Sequence, residues 1–210
     1  MIPMTRGETR AVLFIGLMLP MTLRAGLCTD AHGAPHHDFQ LFAGYSPVST
    51  VANQPASDRQ FLIAGFSYSY RCWVWSSTSL SYTAAAMPVA TLIEPAEIIN
   101  QREIPAHAVY GFAVTSVGAT FEFARKRAVH PFLETLEGII GSMEPIPVNV
   151  PNATGLNFLF TLGGGLRRNI GPRQAISLGY RFVHVSNAGT TSVNPGVNNN
   201  VIYIGYSFLR

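Results

Sequence analysis

The residue types best suited to chemistry cluster near the C-terminus. They lie in Tyr180-Arg181-Phe182-Val183-His184-Val185-Ser186-Asn187-Ala188-Gly189, followed by Asn194-Pro195-Gly196-Val197-Asn198. A serine hydroxyl is a poor nucleophile until an imidazole takes its proton, and the imidazole needs a third group to fix its tautomer. His184 and Ser186 stand two residues apart, and Asn198 is the candidate third group. The turn Asn187-Ala188-Gly189 could aim backbone N–H groups at a developing oxyanion. Asn194 either bonds that turn or assists the oxyanion. A His-x-Ser pair alone is a weak signal. Its structural alternative is a strand-end histidine and serine hydrogen-bonded to each other at a membrane interface.

Those residues sit on a sequence of period two rather than 3.6. Leu62, Ala64, Phe66, Tyr68 and Tyr70 share one face, against Gly65, Ser67, Ser69 and Arg71 on the other. Leu156, Phe158, Phe160 and Leu162 alternate in the same way, as do Ile202, Ile204, Tyr206 and Phe208. Apolar-out and small-or-polar-in is the signature of a transmembrane barrel strand. A soluble lipocalin-like carrier would show the same alternation with inverted faces, which the glycines and serines opposite the aromatics speak against. His184 and Ser186 share their face with Ile176, Leu178, Tyr180 and Phe182, so that face looks into lipid. Asn198 has the parity of Ile202 and Ile204, and the hairpin returns it beside His184 at the outer-leaflet end.

Eight strands are expected, near 39–47, 60–75, 78–93, 107–125, 129–143, 154–168, 174–187 and 198–209. Connections alternate short and long, the short ones around Ser76-Ser77, Lys126-Arg127 and Asn169 to Arg173. The fold expected is all-β: an eight-stranded antiparallel transmembrane β-barrel with short periplasmic turns and longer extracellular loops. Pro88 cannot donate to a ladder and marks a bulge or break. Glu134 and Glu137 leave the facing of the fifth strand ambiguous. Arg71 and Arg181 have lumen-facing parity and are expected to pair with Glu122 or another acid. Trp73, Trp75, Tyr68, Tyr70 and Tyr206 suit interfacial girdles.

Composition agrees. Charged residues are 12% of the 210 and the formal charge is +3, with no basic stretch that would read nucleic acid. Arg6, Arg10 and the apolar run from Ala11 to Leu23 read as a secretory signal, giving residues 1–33 as signal peptide and 34–210 as one barrel domain. Cys28 lacks a lipobox, since Leu27 stands where Gly or Ala is wanted, and would leave Cys72 alone once the signal is removed. His36 and His37 are weak metal ligands in a leader, and no metal or other cofactor is expected.

The run from His184 to Asn198 resembles the active-site segment of the lipid A 3-O-deacylase family, His-x-Ser-Asn-Ala-Gly followed by Asn-x-Gly-x-acid. Gly163-Gly164-Gly165 and Val129-His130-Pro131-Phe132 fit the broader acyloxyacyl hydrolase-like barrels. The resemblance implies a bacterial outer-membrane esterase that hydrolyses an ester-linked 3-hydroxyacyl chain of lipid A. Ser186 would be nucleophile, His184 general base and Asn198 the orienting third residue. Lipid A of lipopolysaccharide would be the substrate and outer-membrane lipids the surroundings, with a homodimer left open. The family's third residue is a glutamate where this chain has Asn198, and no acid follows Glu144. A working Ser-His-Asn site, an acid from an upstream strand (Glu134 or Glu137), and an inactive relative with a structural or lipid-binding role are the three outcomes.

Overall fold

The computed structural model describes residues 37–51, 58–99, 101–148, 152–192 and 194–210. The expected signal segment lies outside these. Every regular element among the described residues is a strand: β1 His37–Val51, β2 Arg59–Trp75, β3 Thr78–Glu94, β4 Glu97–Ile99, β5 Arg102–Ile104, β6 His107–Val109, β7 Gly111–Glu122, β8 Val129–Ile146, β9 Thr154–Gly171, β10 Gln174–Ser186 and β11 Val197–Leu209.

Eight long strands form one antiparallel ring in the order β2-β1-β11-β10-β9-β8-β7-β3, closed by the pairing of β2 with β3. Closure removes the sheet edges that hydrocarbon would leave unpaired. The first and last strands meet flush: His37 N–H donates to Arg210 O at 2.9 Å and Arg210 N–H to His37 O at 2.8 Å. β6 extends the line of β7 and pairs with β3, while β4 and β5 make a separate small hairpin. The expected break at Pro88 is a bulge. Ala64 opposes Val89 and Phe66 opposes Ala86, so Met87 and Pro88 share the place opposite Gly65.

The outer wall is apolar, as Leu41, Phe66, Leu178, Ile202 and Ile204 show, each more than half exposed. A soluble carrier would hide such residues, whereas lipid covers them. An aromatic band rings the turn end: Phe39 packs on Tyr68, Tyr206 meets Phe208 edge-on, and Trp75 stands exposed nearby.

The lumen corrects the expectation of a small-or-polar interior. Its turn-end half is polar. Glu122 gathers Arg125 (3.1 Å), Arg167 (3.3 Å), His130 (3.6 Å) and Arg71 (3.8 Å) beside a cavity of about 230 Å³. Above it, Glu134 accepts bonds from Arg181 Nε at 2.8 Å, Arg181 Nη2 at 3.1 Å and Tyr203 Oη at 2.7 Å. Arg181 thus pairs with Glu134 and Arg71 with Glu122, as their parity implied. The loop-end half is instead a packed apolar layer that includes Phe61, Ile63, Leu92, Ile140, Leu159, Val183 and Val201. An eight-stranded barrel is only wide enough for side chains to fill it, so this half closes as a core. Gly179 makes room below that layer, because a methyl group there would lie 2.5 Å from the Tyr203 ring. Cys72 is buried, and the expectation that it stands alone turns on Cys28, which lies outside the described residues.

Candidate active site

β10 carries its apolar residues outward up to Phe182, then places His184 and Ser186 on the same outward parity at the loop end. β11 opposes it in a register that sets His184 directly across from Asn198. The pairing brings the two side chains into contact: His184 Nδ1 lies 2.7 Å from Asn198 Oδ1. An amide oxygen can only accept, so Nδ1 is the donor in this pair.

Gly196 forms the floor against which the ring rests. A methyl group there would fall 2.6 Å from His184 Cε1 and 3.4 Å from Nε2. Gly196 N–H donates to Asn194 O at 3.1 Å, so Asn194 bonds its own turn through the backbone while its side chain is exposed. One rung lower, Tyr180 Oη donates to Asn200 Oδ1. That bond and the Gly196 contact went unread in the sequence. The first follows from the outward parity of Asn200, whereas the second depends on a side-chain position that no spacing conveys.

Ser186 is mostly buried (8% exposed) where β10 ends, and the turn beyond it is held by Asn187. Asn187 Oδ1 accepts from Gly189 N–H at 2.9 Å, Asn187 Nδ2 donates to Thr191 Oγ1 at 2.8 Å, and Thr190 N–H closes on Asn187 O at 3.1 Å. Ala188 (φ 52°) and Gly189 (φ 78°) both take the left-handed conformation, as a type I′ turn requires. The expected N–H donors are therefore not equivalent. Gly189 N–H is engaged by the Asn187 side chain, whereas Ala188 N–H makes no hydrogen bond among the described residues. No hydrogen bond joins Ser186 to His184 among the described residues.

Neither upstream acid reaches the histidine. Glu134 points into the lumen, bound by Arg181 and Tyr203. Glu137 faces outward but is separated from His184 by β9, through the register line Glu137–Phe160–His184. That is two strand spacings, about 10 Å. Asn198 is thus the residue that meets the imidazole. Phe158 and Phe160 stand across from Ser186 and His184 and give the cluster an apolar flank.

The closed ring, the apolar outer wall and this cluster on its lipid-facing side define an outer-membrane β-barrel with a polar site that opens sideways. The family model for lipid A 3-O-deacylase (PagL) matches residues 63–207, and the chain belongs to that family. Among solved structures it is similar to the outer membrane enzyme PagL, at 21% identity over 80% of this chain and 98% of that one, with a TM-score of 0.57. It is also similar to Neisserial surface protein A, at 11% identity over 84% and 98% of the two chains, with a TM-score of 0.51. No curated protein sequence matches it.

Proposed function

We propose that this barrel is an esterase that removes an ester-linked 3-hydroxyacyl chain from lipid A within the outer leaflet. The observation that carries the reading is the 2.7 Å contact of His184 Nδ1 with Asn198 Oδ1, on the lipid-facing wall beside Ser186. A histidine, a serine and an asparagine turned toward hydrocarbon are unfavourable unless they bond and act there.

The chemistry follows from the tautomer. His184 Nε2 takes the Ser186 Oγ proton as Oγ attacks the ester carbonyl. The oxyanion meets Ala188 N–H at the turn. Collapse expels the sugar oxygen, which takes the proton from Nε2. A water then attacks the acyl-enzyme with His184 as base, releasing the hydroxy fatty acid and restoring Ser186. Asn198 holds Nδ1–H throughout but adds no charge to stabilise the imidazolium. In serine proteases the acid-to-amide change lowers turnover about 10⁴-fold because it imposes the wrong tautomer. Here the amide oxygen meets Nδ1, so the tautomer is right and the charge alone is lost. The acyl chain would lie over Phe158 and Phe160.

Mass spectrometry of lipid A after incubation with detergent-solubilised protein tests this, wild type beside Ser186→Ala. Loss of one 3-hydroxy fatty acid with wild type alone is expected. Unchanged lipid A, with a folded barrel confirmed by heat-modifiable gel mobility, would make the chain a non-catalytic member of its family.

A further inference from the structure

Glu137 is exposed on the outer wall of β8, and no hydrogen bond or ion pair joins it to any described residue. It does not lie at the rim of the apolar belt. On its own strand its outward neighbours are Ile139 and Thr135, with Leu133 beyond, while Phe158 and Leu162 lie either side of its partner Phe160 on β9 and Val117 stands across from it on β7. An unpartnered carboxyl group among hydrocarbon-facing side chains is unfavourable and points to something that it meets in the membrane. Its neighbourhood is adapted as well. β7 bulges beside it between Thr115 and Val117, with Ser116 as the extra, exposed residue, and the Ser116 carbonyl accepts the Tyr82 hydroxyl. A polar island therefore stands in the wall about 10 Å along the register line from His184.

A lipid with several acyl chains on one headgroup, seated with one ester at Ser186, would spread its other chains across Phe158 and Phe160 toward that island. We propose that Glu137 is a second polar contact for the same lipid. It accepts a hydrogen bond from a donor, a hydroxyl or an amide N–H, near the head of a neighbouring acyl chain, and so selects which ester reaches Ser186. This rests on the esterase reading above.

The test is lipid A deacylation in mixed detergent micelles by wild type, Glu137→Leu and Glu137→Gln, with pH–rate profiles and heat-modifiable mobility. Glu137→Leu should fold as wild type does and lose about 10- to 100-fold in kcat/KM, mainly through a raised KM. Glu137→Gln should stay within about threefold, because its carbonyl accepts the same bond, and no profile should shift. Three results would overturn the proposal: a Leu variant as active as wild type, a Leu variant that does not fold, or a Gln variant as impaired as Leu with a shifted profile, since charge would then be what matters. A wild type without activity is a different failure, which removes the esterase reading and this proposal together.

Discussion

Replacing Gly196 with alanine isolates the placement of His184 from every group that takes part in proton transfer. The added methyl would lie 2.6 Å from Cε1, whereas carbon atoms rest at about 3.5 Å or more. The ring must therefore withdraw by about 0.9 Å. A shift of that size along the contact would stretch the 2.7 Å bond to Asn198 to about 3.6 Å, beyond hydrogen-bonding range. Misplacing a reacting group by about 1 Å can cost a factor of about 10², equivalent to about 2.7 kcal/mol in the barrier. Gly196→Ala should thus lower the rate of lipid A deacylation about 100-fold, followed as a mass-spectrometric time course. Barrel mobility should stay heat-modifiable, because Gly196 precedes β11 and no lumen packing depends on it. A folded variant within about threefold of wild type would refute the reasoning, since His184 would then not work from the position seen here.

Asn198→Leu should remove the only acceptor that meets Nδ1 among the described residues and lower turnover about 10²- to 10⁴-fold, whereas Asn198→Glu should raise it about tenfold by supplying charge. Steady-state rates on lipid A check both, and equal rates for Asn198→Leu and wild type would remove Asn198 from the site. Within the lumen, Arg181→Met should destabilise the barrel by about 3–5 kcal/mol by leaving Glu134 with Tyr203 alone, while Arg181→Met with Glu134→Leu should recover much of that loss. Urea midpoints from tryptophan fluorescence measure the difference.

Much of the ring was legible because a closed membrane barrel imposes one rule on every strand. All eight long strands fall where alternation put them, with ends displaced by a few residues, and the Pro88 bulge follows from its missing N–H. The fifth predicted strand read ambiguously for a reason now visible. Glu134 and Glu137 are an odd number of residues apart, so one faces Arg181 in the lumen and the other faces lipid. The apolar loop-end lumen was missed because alternation distinguishes faces only where they differ in polarity, and there both are apolar. The β4–β5 hairpin escaped because three-residue strands carry too little pattern. In the candidate site, parity alone placed His184, Ser186 and Asn198 on one face. The engagement of Gly189 N–H by the Asn187 side chain is tertiary detail that no spacing encodes.

The apolar layer in the loop-end half of the lumen has a consequence for the cell envelope. Many outer-membrane barrels are pores, and an open pore leaks solutes and ions. Here the charged cavity at the turn end is cut off by Phe61, Ile63, Ile140, Leu159 and Val201, each at most 2% exposed. Water that enters from the turn side meets a dry seal rather than a channel, and a hydrated ion would have to shed its shell to pass. The barrel can therefore sit in a permeability barrier without conducting through it.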